Sequence, residues 1–185
     1  SQRSLFGSKT GIVVGRLCTS PDTRSMSDIG FTHVALPVTH LDSSLAFYQQ
    51  YARMEAVHRR TEEDGKQVAW ITDHTRPFVI VLLEKSQVDH PLLPPAHIGV
   101  ACESREEVDR RCDLAREAGC LQEGPADAGP PIGYWAFLTD PDGHILELSY
   151  GQEVTFTVEH SEQHQQDAAK QFDEKLEKLA VPSPS

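Results

Sequence analysis

The chain carries one pattern twice, and that doubling restricts it to folds built from two like modules. Val68-Ala69-Trp70-Ile71-Thr72-Asp73 returns as Trp135-Ala136-Phe137-Leu138-Thr139-Asp140. Val79-Ile80-Val81-Leu82 returns as Ile145-Leu146-Glu147-Leu148, and His33 and His97 hold matching places in two alternating stretches. A unit this long, present in only two copies, is not the short-period array of a solenoid. It describes two fused modules.

Each pass has the same predicted order. In the first, Thr32, Val34, Leu36 and Val38 alternate with Phe31, His33 and Ala35, which is the period of a strand. Asp42 is the expected N-cap of a helix reaching about residue 53, with Leu45, Tyr48 and Ala52 at helical spacing. Strands follow over about 55–60, 67–72 and 78–83, divided by an Asp64-Gly65 turn and a break at 74–77. A linker rich in proline (Pro91, Pro94, Pro95) then leads to the second pass. It reads as a strand over 96–102, a helix opened by the capping box Ser104-Arg105-Glu106-Glu107 and closed at Gly119, and strands near 120–123, 134–138 and 145–150. The expected class is α+β, as two tandem βαβββ modules over about 29–85 and 95–151 of a domain spanning 26–151.

The two ends differ in composition from this domain. Residues 1–25 are rich in serine and read as a flexible arm, or as extra sequence ahead of a natural start at Met26; an organelle transit peptide is a minor alternative. Residues 152–185 read as a helical tail, with a helix over about 162–179 and apolar positions at Ala168, Ala169, Phe172, Leu179 and Ala180 that make only a thin stripe. The apolar runs are all too short to span a membrane, which predicts a soluble protein. A net charge of -11 argues against nucleic acid or an anionic membrane as partner, since phosphate binding needs clustered Lys and Arg. Cys18, Cys102, Cys112 and Cys120 have neither Cys-x-x-Cys spacing nor the number for a disulfide scaffold, so free thiols in a reducing cytoplasm are expected.

The chemistry centres on the second hairpin. Asp140-Pro141-Asp142-Gly143 supplies a fixed φ, side-chain caps and a residue that accepts φ > 0, so it reads as the tight turn of a hairpin. Past it the alternation sets Glu147 among apolar neighbours, where a carboxylate is costly to bury without a partner. His33, His97 and Glu147 each lie on the strand face opposite the main apolar set. With helices on the apolar face, all three would point into one concavity, and two imidazoles with a carboxylate suit a divalent metal. His74 and His144 are turn residues and are expected to be structural or exposed.

On these residues the chain resembles the vicinal oxygen chelate superfamily, which includes glyoxalase, extradiol dioxygenases and bleomycin- and fosfomycin-resistance proteins. The resemblance rests on Phe31-Thr32-His33-Val34-Ala35-Leu36, Phe47-Tyr48, Ala96-His97-Ile98-Gly99-Val100 and the stretch from Asp140 to Leu148, and covers about residues 29–151. It implies a cupped, barrel-like mixed sheet around one divalent ion (Fe, Mn, Ni or Zn), a small-molecule substrate and a homodimer. His33, His97 and Glu147 would be the ligands, Glu147 also the catalytic residue, and Trp70, Trp135 and Phe137 the pocket walls. The individual branches fit less well. The fourth ligand of glyoxalases aligns with Val81, and Glu84 nearby has the opposite parity. Extradiol dioxygenases would want a His near 128–130 and a Tyr in place of Phe137; fosfomycin enzymes would want a Thr in place of Ala35. Tyr134 is a weaker proton-donor candidate. The implied function is a metal-dependent enzyme of the glyoxalase/dioxygenase type. The alternatives are a metal-free, drug-sequestering protein and a partner-binding module using the C-terminal helix.

Overall fold

A computed structural model describes residues 30–161 and residue 170. The elements in order are β1 (His33–Val38), α1 (Leu41–Ala52), β2 (Glu55–Thr61), β3 (Gln67–Thr72), β4 (Val79–Glu84), β5 (Ile98–Ala101), α2 (Arg105–Glu117), β6 (Leu121–Asp127), β7 (Tyr134–Thr139), β8 (Ile145–Tyr150) and α3 (Val154–Glu159). The α+β class and the doubled βαβββ order are those expected from the repeat. The arm expected over 1–25 and, Lys170 excepted, the tail helix over 162–179 lie outside the described residues. Among the described residues no helix is long and apolar enough to cross a membrane.

The eight strands form two four-stranded mixed sheets, β1-β4-β3-β2 and β5-β8-β7-β6, and not one continuous sheet. In each, the opening strand runs parallel to the closing strand and the other neighbours are antiparallel. Register carries the repeat into three dimensions. Val81 lies between Ala35 and Trp70, and Glu147 lies between Gly99 and Phe137.

Alternation decides which face of each sheet is buried. Leu36, Ile80 and Ile71 of the first sheet and Leu138, Leu146 and Leu148 of the second join Tyr48 of α1 and Val108 of α2 in one core cluster. Each fully buried Leu or Ile contributes about 1.5–3 kcal/mol. Because both sheets turn one face to this shared core, the faces bearing His33 and Glu147 are directed away from it.

Two helix starts differ from expectation. The N-cap of α1 is His40, in extended conformation and without a side-chain cap, while Asp42 sits inside the first turn and pairs with Arg59 at 2.8 Å. At α2 only half of the capping box forms. Ser104 accepts from Glu107 N at 3.2 Å, but the Glu107 carboxylate goes to Arg110 and Arg111 instead of reaching back. Nearby guanidinium groups hold a carboxylate more strongly than a single backbone N–H does.

The Asp-Pro-Asp-Gly turn does more than reverse the chain. Asp140, buried, accepts from the backbone N–H of Asp142 and His144 and from the Tyr48 hydroxyl. Burial raises its pKa above the usual carboxylate value. Asp142 reaches the end of β1, accepting from Thr39 N at 2.9 Å and Thr39 Oγ1 at 2.5 Å. His144 is 1% exposed; its Nδ1 accepts from Leu92 N at 3.0 Å, so Nε2 carries the proton and donates to the Pro37 carbonyl at 2.8 Å. His144 is structural, whereas His74 sits exposed at φ 60 with Glu55 at 3.4 Å. A His144→Phe variant leaves the Leu92 N–H and the Pro37 carbonyl unpaired, at a cost of about 1–3 kcal/mol for each group. An unchanged urea midpoint would show that this turn does not join the modules.

Candidate metal centre

Glu147 lies on β8 with its backbone flanked by Gly99 and Phe137, and the side chain is only 5% exposed. Burying a carboxylate demands partners. Gln152 Nε2 donates to its Oε1 at 2.6 Å, and His97 Nε2 stands 3.0 Å from its Oε2. His97 immediately precedes β5, and its Nδ1 is 2.8 Å from the Pro95 carbonyl. A carbonyl only accepts, so Nδ1 carries a proton. In the neutral ring, Nε2 is then a lone pair facing a carboxylate, an arrangement that asks for a proton or a cation between the two.

His33 occupies the matching place on β1, beside Val79, with Nδ1 3.0 Å from Thr32 Oγ1. It is exposed on the open face of the first sheet and does not join His97 and Glu147. Among the described residues there is no group of three or more His, Cys, Asp or Glu able to hold a metal ion. The concavity expected to gather all three ligands is therefore not formed within one chain. The physical reason is the shared core: both sheets put their apolar residues into one cluster with α1 and α2, and neither His33 nor Glu147 belongs to it.

The expected wall residues divide the same way. Trp135 and Phe137 stand together on the second sheet, ring centroids 4.7 Å apart, with Phe137 5.2 Å from the His97 ring. Trp70 lies on the open face of the first sheet, 40% exposed and 5.1 Å from His58. Two surface hollows, of about 370 Å³ beside Tyr51 and Cys120 and about 430 Å³ beside Lys85 and His90, lie away from Glu147. Glu84 is outside the site: its Oε2 accepts from Gln67 N at 3.0 Å. Tyr134 is on the helix side, donating to Asp109 at 2.6 Å, a bond that pushes its pKa up to about 12. That geometry removes it as a proton donor for the site.

Residues 30–148 match the sequence profile of the Glyoxalase/Bleomycin resistance protein/Dioxygenase superfamily. The chain belongs to this superfamily. An uncharacterized protein of Pseudomonas aeruginosa is 37% identical over 124 residues, covering 65% of this chain and 88% of that one. Among solved structures, the trypanothione-dependent glyoxalase I of Leishmania major aligns with a TM-score of 0.59 at 20% identity, over 76% of this chain and 99% of that one. The genomically encoded fosfomycin resistance protein FosX from Listeria monocytogenes, complexed with Mn(II) and sulfate, aligns with a TM-score of 0.51 at 20% identity, over 66% of this chain and 92% of that one. At these identities the likeness is one of fold.

In this glyoxalase-superfamily chain His97, Glu147 and His33 are of the donor types a divalent ion takes, but the described residues of one chain do not gather three of them. Both imidazoles have Nδ1 occupied by a neighbouring oxygen, Thr32 Oγ1 or the Pro95 carbonyl, which fixes the ring and leaves Nε2 for a ligand. Sequence reasoning missed two contributors, the Pro95 carbonyl and Gln152. A carbonyl has no sequence signature, and Gln152 lies beyond Gly151, where the strand period has ended.

Proposed function

We propose that the chain forms a homodimer whose two open faces meet crosswise. His97 and Glu147 of one subunit and His33 of the partner subunit then hold a divalent ion, Fe, Mn, Ni or Zn. The function is an enzymatic reaction on a small substrate with two adjacent oxygens. One observation carries this reading: a buried carboxylate and an oriented imidazole meet at 3.0 Å on a face otherwise lined by aromatic rings. When bound, such an ion supplies Lewis acidity to the two oxygens and stabilises charge developing on them. The protein's own side chains do the rest. Glu147 and His97 bind, while Trp135 and Phe137 from one subunit and Trp70 from the other exclude water and give apolar walls. Val81, where a fourth ligand would stand, leaves positions free for substrate. Cys102, Cys112 and Cys120 are free thiols, in keeping with a cytoplasmic protein.

Metal analysis of the purified protein tests the reading. Wild type is expected to retain about one divalent ion per chain, and His33→Ala, His97→Ala and Glu147→Ala to lose it. Wild type holding no more metal than the variants would end the enzyme reading. One specific feature favours a metal-free binding protein: a proton on His97 Nε2 would serve in place of an ion, joining it to Glu147 Oε2, while Gln152 holds Oε1. Such a protein would keep its ligand in the presence of a chelator; the proposed enzyme would lose it.

A further inference from the structure

Gln152 is the second residue past β8, and its side chain turns back to the centre of the second sheet. Its amide divides the work of the Glu147 carboxylate. Oε1 accepts from Gln152 Nε2 at 2.6 Å, while Oε2 is the oxygen 3.0 Å from His97 Nε2. We infer that Gln152 is a positioning residue for the proposed metal centre: it occupies Oε1 and so presents Glu147 as a one-oxygen ligand through Oε2. The inference rests on the metal reading above.

The residue type suits the task. A free carboxylate turns about its last torsion with little preference and can offer either oxygen or both. A donor on one oxygen removes that freedom. A neutral amide does so without placing a second positive charge beside the cation site, as Lys or Arg would. The restraint also leaves one more coordination position to substrate than a two-oxygen grip would.

The backbone that carries Gln152 is itself held from a distant loop. Gly151 turns the chain at φ 76, and Glu153 N donates to the Pro131 carbonyl at 3.0 Å. Gly133, at φ 85, presses so closely that a Cβ there would lie 2.4 Å from the Tyr150 carbonyl oxygen and 2.8 Å from Gly151 C. No other residue type fits between them without moving 150–152. The loop before β7 thus sets where the Gln152 side chain starts, and hence which Glu147 oxygen it reaches.

Co(II) titration of the full chain, followed by its visible absorption, tests the proposal alongside the unfolding midpoint of the metal-free protein. Gln152→Met keeps the side-chain length and removes the donor. It is expected to weaken Co(II) binding about ten- to a hundredfold and to change the Co(II) spectrum, while the metal-free midpoint falls by no more than the loss of one hydrogen bond to Glu147 accounts for. Gly133→Ala is expected to shift the spectrum in the same direction. Wild-type affinity and spectrum in Gln152→Met would overturn the positioning role and leave the metal reading standing. Weaker binding with the wild-type Co(II) spectrum would overturn it too, by showing a merely structural part. Wild type that takes up no Co(II) removes the metal reading itself, and the inference with it.

Discussion

Mixed in equal amounts and allowed to exchange subunits, the His33→Ala and His97→Ala variants are expected to recover about a quarter of the wild-type metal sites, although each alone retains none. The expectation follows from where the residues stand. His33 is on the open face of one sheet, His97 and Glu147 are on the open face of the other, and one chain does not bring them together. Random exchange of equal amounts makes half the dimers hybrids, and in a two-fold dimer each has two sites. Each hybrid pairs one intact first sheet with one intact second sheet, and the other site carries both lesions. A control separates this from simple stabilisation. His97→Ala mixed with Glu147→Ala has both lesions on the same sheet and should recover nothing. A His33/His97 mixture that stays at the level of the separate variants would overturn the shared centre.

Glu107→Ala is expected to lower the unfolding free energy by about 3 kcal/mol, because it strips a buried cation of its charge partner. Arg111 is 3% exposed; its Nη1 donates to the Tyr51 carbonyl at 2.7 Å and its Nε to Glu107 Oε1 at 2.7 Å. Arg53, just past α1, also reaches Glu107 Oε1 at 3.0 Å, so this carboxylate ties the end of one module's helix to the helix of the other. Hydrogen bonds from Arg110, then those from Arg111, lower the Glu107 pKa from 4.5 to about 2. The folded state keeps the group ionised where the unfolded chain would protonate it. Its stabilisation is therefore complete above pH 4.5 and is lost as the pH falls toward about 2. Urea unfolding near neutral pH and again at about pH 3 should show the wild-type advantage shrinking in acid. An equal gap at both pH values would mean that Glu107 acts through packing alone.

The register of this fold could be read from the chain because a strand's period and a repeated motif are local facts. Val81 and Glu147 take equivalent places between their neighbours, as the alignment of Val79–Leu82 with Ile145–Leu148 requires. Parity also put Glu147, Phe137 and His97 on one face. Parity says which side of its own sheet a residue occupies, however, and nothing about which sheet faces which. That depends on Arg111 reaching Tyr51 and on both sheets sharing a core, contacts between residues far apart in sequence. Asp42 and Glu107 show the same limit on a smaller scale. Each has the chemistry of a cap, and each is drawn away by an arginine that folding brings near.

The turn from Asp140 to His144 has a bearing on how chains of this kind are sorted. Three of its side chains are engaged in holding β1, the linker and α1 in place, and none of the three touches Glu147. A chain could therefore keep the whole turn for its architecture while replacing the carboxylate three residues on. Retrieval by that motif gathers proteins by scaffold. Sorting them by chemistry needs the position of Glu147 and that of His33 read separately, since the two answer to different halves of the duplication.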